Sequence, residues 1–364
     1  MLRSPDTAAA APEFRLPGRS SWAAASGAVL IAWLFTLAGR LSVQWAPVSS
    51  SATASWTWGW DGGWYLGLAK EGWISGPDGE LPQGAAFLPA WPLLLRSAFA
   101  TGLPEDLVGQ LLPTLLQLAW LAFLHAYVRP AGARMAFPAV LFAALWPHSL
   151  TGRVAYTEPL FLLCGTLMLT LGRRHAAVAA VAGLFAGTTR VTGLALGLMA
   201  LDRGRPWRLL TFLAPALGLI GVMGWQGLVL GDPMAFLHAQ HHWHEGRPPG
   251  SGGWLGPLGL GLLGPIGHNG VLKAVMVAGT VAVVSWGARG DRGAAAAAGG
   301  HLLLVLASGW TESGDRYLYG SPALWWLLMP LLTKHPRLTW FLAVLSAAVT
   351  VGWARQWILG RWVF

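Results

Sequence analysis

Long apolar runs separated by short arginine-bearing gaps set the pattern of this chain. The runs fall near 22–43, 107–128, 135–150, 157–172, 176–189, 208–230, 271–288, 294–310, 320–333 and 337–358. Apolar stretches of about 17–25 residues cross a bilayer as helix. The pattern therefore predicts an all-α polytopic membrane protein with about 10–11 membrane helices. Shorter apolar pieces lie near 85–100, 192–201 and 254–266. No tandem repeat, long linker or soluble domain interrupts them. A polar tail over 1–21 leads into a single integral-membrane domain over 22–364.

The placement of basic residues orients the spans. Arg3, Arg15 and Arg19 put the N-terminal tail in the cytoplasm, and the basic gaps 129–134, 173–174, 203–208, 289–292 and 334–337 should join it. Counting every apolar piece as a full span breaks that parity. It returns if 85–100 lies in or on the outer leaflet and 192–201 completes a helix pair with 176–189. The segments 44–84, 151–158, 231–254 and 311–319 then face outside, and 44–106 becomes a first extracytoplasmic loop with interfacial helices. A membrane-level segment that does not cross needs protein or a water-filled cavity over its backbone. The first span lacks a small-residue cleavage site after its long apolar core, so it reads as uncleaved.

Composition agrees. The chain is 54% hydrophobic and 11% charged, against about 25% charged in soluble domains. Its net charge of +9 sits in anchors between spans, which argues against nucleic acid as a partner. Cys164, the single cysteine, lies inside an apolar run and suits packing better than nucleophilic chemistry. An intramolecular disulfide is excluded.

The unusual polar residues gather in the outer gaps. "WTWGWDGGWYLGLAKEGW" places Asp61 beside Trp60, Trp64 and Tyr65, and Gly62 and Gly63 permit a bend or close approach. Trp64, Tyr65, Leu68 and Trp73 can form an aromatic face on a short interfacial helix, suited to stacking on sugar rings. Equally, Asp61 can be a helix N-cap within an aromatic belt. "WPHSLTGRVAYTEPLF" brings Arg153, Tyr156 and Glu158 to one membrane edge, where a glutamate opening a helix is electrostatically ordinary. In "AGTTRVTGLALG", Arg190 stands between apolar stretches and needs an anionic partner: a phosphate, Glu158 or Asp61. The loop "GDPMAFLHAQHHWHEGRPP" carries His238, His241, His242 and His244. His238 and His242 have a metal-compatible spacing, but no third ligand follows from it. "TESGDRYLYGSPAL" sets Arg316 and Tyr317 at the mouth of a span, to snorkel or to bind phosphate.

In order over about 50–325, "WDGGWYLGLAKEGW", "AAFLPAWPLL", "RVAYTEPLFLL", "TTRVTGLALG", "GDPMAFLHAQHHW" and "DRYLYGSPAL" resemble the motifs of the PIG-V-type mannosyltransferases of GPI-anchor assembly and their prokaryotic relatives. Trp73 stands where a tyrosine is common, and Pro159 follows the glutamate. The resemblance implies a GT-C-type glycosyltransferase fold, an extracytoplasmic site and an inverting transfer from a polyprenyl-phosphate-linked sugar, mannose in this family. Asp61 corresponds to the family's aspartate and would be the general base. Glu158 would orient Asp61, Arg190 or the acceptor. Arg190 and Arg316 would hold the donor phosphate. Trp60, Trp64, Tyr65, Tyr156, Gln240, Trp243 and Tyr317 would line the substrate. No obligatory metal or other cofactor is implied beyond the lipid-linked donor itself.

The implied partners are membrane lipid, that donor and a lipid, glycan or protein acceptor, with room for an accessory membrane subunit. Two other classes stay open on the sequence. A transporter or flippase of lipid-linked sugars would need a polar path at the midplane, where Arg190 is the one candidate. A noncatalytic scaffold of a glycosylation complex would show no turnover.

Overall fold

The computed structural model describes residues 16–45, 55–74, 81–172, 175–202, 208–240, 270–307, 313–361 and 363. Among them there is no strand. The helices, in order, are α1 (Arg19–Leu41), α2 (Asp61–Lys70), α3 (Ala90–Phe99), α4 (Glu105–Val128), α5 (Ala133–Leu145), α6 (Glu158–Leu171) and α7 (Ala176–Thr189). They continue as α8 (Arg208–Leu230), α9 (Ala235–His238), α10 (Gly270–Gly287), α11 (Arg292–Ala307), α12 (Gly314–Tyr319), α13 (Pro322–Lys334) and α14 (Pro336–Ile358). Arg19–Leu41, Glu105–Val128, Leu209–Leu230 and Pro336–Ile358 are each long and apolar enough to cross a membrane.

The sides of these helices are sorted for lipid. On α1 the buried face is Ala25, Ala28, Ala32, Thr36 and Gly39, while Leu30, Leu34, Leu37 and Leu41 are exposed. Leu107, Leu111 and Leu115 make the same outward stripe on α4, and Phe341, Val344 and Leu345 on α14. Large apolar residues outside and small ones between helices are what a bilayer favours. Several contacts leave no room for a Cβ: Gly39 abuts the Val351 carbonyl, Gly165 the Pro322 ring, Gly187 the Pro215 carbonyl and Gly218 the Leu184 carbonyl.

Two large cores result. One joins α1, α4, α5, α13 and α14 around Trp120, Phe142, Trp325 and Met329. The other joins α2, α3, α6, α7, α11 and α13 around Trp91, Phe161, Met168 and Trp326, and Cys164 is buried there.

Two of the expected segments take a different form. The run 135–150 is not one helix: α5 stops at Leu145 and a 3-10 turn covers Pro147–Gly152. Pro147 lacks an N–H and drives Trp146 to extended ψ of 134°, which ends the α-helix. The segment 192–201 does pair with α7, but as a 3-10 helix over Val191–Asp202. Arg190 is extended at the break, and Gly193 packs against the Ala186 carbonyl. A continuing α-helix would put those residues about 10 Å apart, so the chain folds back along α7. The segment expected to form interfacial helices contains α2, a 3-10 turn over Gln83–Ala86 and the ten-residue α3.

Candidate functional site

Asp61 is the first residue of α2, and the backbone before it is strained. Gly62 N–H donates to the Gly59 carbonyl at 3.0 Å, closing a turn whose second residue is Trp60 at φ 55°, ψ −122°. Trp60 is the one non-glycine with positive φ among the described residues. Glycine is the residue this turn position prefers, and holding another side chain there costs about 1–3 kcal/mol. Gly62 must be small, since a Cβ would meet the Thr57 carbonyl at 3.0 Å.

The surroundings fix α2. Arg96 of α3 donates from Nε to the Ala69 carbonyl at 2.6 Å and from Nη2 to that of Lys70 at 3.0 Å, covering the helix C-terminus. Gly72, at φ 84°, then ends it. Ala155 N–H donates to the Thr57 carbonyl, and Trp91 Nε1 to the Ala155 carbonyl. The approach to Asp61 is thereby tied to the approach to Glu158.

Four charged side chains from four segments then meet. Arg316 Nη1 lies 2.7 Å from Asp61 Oδ2, across 255 residues of sequence. Arg190 Nη1 lies 2.7 Å from Glu158 Oε1 and 3.2 Å from Thr157 Oγ1. Arg316 Nε stands 3.4 Å from Glu158 Oε1, so one carboxylate oxygen serves both arginines. Glu158 and Arg316 are almost wholly buried. Two carboxylates balance two guanidiniums, which is what makes burial of Glu158 and Arg316 beside the half-buried Asp61 and Arg190 tolerable. Glu158 Oε2, also buried, has no hydrogen-bond partner among the described residues.

Aromatic faces enclose the charges. Arg190 sits over Tyr317 at 4.6 Å, and Arg316 over Tyr156 at 5.0 Å and Tyr317 at 5.1 Å. Such stacking suits the flat guanidinium. Tyr65 meets Phe87 and Tyr156 edge-on, and Trp64 stacks on Phe87. Burial lifts the Tyr65 and Tyr156 phenols above their usual range, and the nearby Asp61 carboxylate adds to this. Both therefore remain O–H groups. Burial alone would draw the Arg316 guanidinium down, but Asp61 and Glu158 more than reverse it.

The N-cap reading of Asp61 fails, because the carboxylate begins the helix and turns to Arg316 without capping it. The snorkelling reading of Arg316 fails too: the residue is buried. Of the anions open to Arg190, Glu158 is the one in contact. Arg153 is fully buried on neutral acceptors, Thr36 Oγ1, Ser149 Oγ and the Ala144 carbonyl. Trp60 is exposed on its turn. Among the described residues no hydrogen bond ties Gln240 to the cluster. Trp243, His241, His242 and His244 lie outside the described residues. His238 is 2.6 Å from Asp232, which its hydrogen bond holds below the usual carboxylate range.

A second layer is made by two residues that lie inside the motif stretches but had no role there, His148 and Asp315. Trp146 Nε1 donates to His148 Nδ1 at 3.0 Å, and His148 Nε2 stands 3.1 Å from Asp315 Oδ2, both buried. Asp315 Oδ1 in turn accepts the Arg316 backbone N–H at 2.9 Å. This buried pair anchors the segment that carries Arg316. The one available signal was a histidine next to a proline inside an otherwise apolar run, "LWPHSL".

The fold and site define an all-helical chain with membrane-length helices and a charge-balanced arginine–carboxylate cluster. Comparison with family models, curated proteins and solved structures yields no match.

Proposed function

We propose that the chain is a membrane glycosyltransferase of GT-C type, moving a sugar, mannose by resemblance, from polyprenyl phosphate to an acceptor hydroxyl outside the cytoplasm. One observation carries the reading: Asp61, Glu158, Arg190 and Arg316, each picked from a separate motif, converge within hydrogen-bonding distance under an aromatic wall. A carboxylate and two cations side by side fit a reaction that removes a proton at one end and builds phosphate charge at the other.

In the proposed step, Asp61 takes the proton of the acceptor hydroxyl as its oxygen attacks the anomeric carbon. The new carbon–oxygen bond forms on one face. The bond to the phosphate oxygen breaks on the other, its electron pair staying with the polyprenyl phosphate, and the configuration inverts. Arg316 and Arg190 meet the second negative charge that appears on that phosphate. Trp64, which is exposed, offers a face for the sugar ring, and the buried Tyr65 backs the aromatic wall. Glu158 is a positioning residue, since it holds both arginines.

The test is transfer of labelled mannose from polyprenyl-phosphate-mannose to endogenous acceptors, in membranes with matched wild type or Asp61→Asn. Wild-type transfer should fall by about 10²–10⁴ in the variant. Equal transfer by both proteins would move the base elsewhere. Movement of the lipid-linked sugar across vesicles without transfer would favour a flippase.

A further inference from the structure

The proposed base is ion-paired in this structure. Asp61 Oδ2 accepts a 2.7 Å hydrogen bond from Arg316, so the carboxylate is held to that cation and offers a hydroxyl only its remaining lone pairs. The same guanidinium is the natural seat for a donor phosphate. We propose that the donor phosphate and the Asp61 carboxylate compete for Arg316, so that donor binding is the event that unmasks the base. The inference rests on the transferase reading and adds an order to it: donor first, acceptor activation second.

The structure shows which partner yields. The Glu158 side chain is 1% exposed, held by both arginines at the head of α6. Arg316 is fixed by two tyrosine faces, and its backbone N–H by Asp315. Asp61 is different. Its side chain is 20% exposed, and it sits beside Gly62 and Gly63 on a strained turn. Arg316 can also offer a phosphate two parallel N–H donors, a better match than the single bond Asp61 now makes.

The charges also account for turnover. The donor phosphodiester brings one negative charge to a balanced cluster. Transfer moves a proton onto Asp61 and leaves a second negative charge on the phosphate, so the total is unchanged. Protonated Asp61 no longer competes, and the product stays on Arg316. Once Asp61 gives its proton to water, the carboxylate and the doubly charged phosphate repel each other, the product lipid leaves, and Asp61 then returns to Arg316.

The experiment is a binding titration of full-length protein in nanodiscs with a polyprenyl monophosphate that carries no sugar, and in parallel with inorganic phosphate. Asp61→Asn, which cannot pair ionically, should bind both probes about tenfold more tightly than wild type. Asp61→Ala should do the same if asparagine disturbs the turn. Glu105→Gln removes an equal charge from a pair with Lys70, touches neither arginine, and should gain less than about twofold. Unchanged or weaker binding by both Asp61 variants overturns the competition, as does an equal gain in Glu105→Gln or a gain confined to the lipid probe. Those results would leave the transferase reading intact. No binding by wild type or Asp61→Asn would remove the donor reading and this inference together.

Discussion

Arg190 and Glu158 show why the charged residues of this cluster must be judged in pairs. Arg190→Ala leaves the buried Glu158 carboxylate with a poorer partner, and stability should drop by about 3–5 kcal/mol. Arg190→Lys should fall between, since an ammonium keeps the charge and loses the flat stack on Tyr317. Thermal unfolding in detergent ranks the three proteins. Trp60 presents the opposite case. Trp60→Gly relieves the strained turn and should raise stability by about 1 kcal/mol, after allowing for the greater freedom of unfolded glycine. If the exposed indole serves the sugar, the same variant should show a higher KM for the donor. A variant that is less stable than wild type would mean that the turn is not strained.

Helix contacts made by glycine set the limits at the element scale. Gly187→Ala would drive a methyl into the Pro215 carbonyl and should cost about 1–3 kcal/mol. Gly221, on α8, has open space where a Cβ would stand, so Gly221→Ala should gain about 0.5–1 kcal/mol. Unfolding midpoints of the two variants should move in opposite directions. Against an expectation of about 10–11 membrane helices, four described helices, α1, α4, α8 and α14, have the length that bilayer thickness dictates. The 13–14-residue α5, α6, α7 and α13 were legible only as apolar runs. The 3-10 return was not legible as such, since "VTGLALGLMALD" is as apolar as any span. Its form comes from close approach of Gly193 and Gly197 to neighbouring backbone, a tertiary fact. Proline 147 was visible, yet its effect on α5 was submerged in the hydropathy of the flanking residues.

Across the whole molecule, the Asp61–Arg316 pair joins α2 to α12, just before α13. A double-mutant cycle of Asp61→Asn and Arg316→Gln on stability should give a coupling of about 1–3 kcal/mol. Additive effects would mean that the pair does not hold the site together. The membership of the cluster could be read from residue type and from position at the edges of apolar runs. Its pairing could not: a lone arginine between apolar runs announces that it needs an anion, but spacing is silent on which. The contact of His148 with Asp315 was illegible for a related reason, because it is made entirely across the fold.

The solitary buried thiol has a practical consequence. Cys164 is packed inside the second core and is the chain's single cysteine, so a membrane-impermeant maleimide should leave the wild-type protein in intact cells unmodified. Any cysteine introduced at an exposed position then reports its own compartment against a silent background. Gln83→Cys in the first loop and Ala131→Cys between α4 and α5 are two such reporters, both at exposed sites. With an outward-facing cluster, Gln83→Cys is labelled in intact cells, and Ala131→Cys only after permeabilisation. The reversed pattern would turn the whole molecule over and place its chemistry in the cytoplasm.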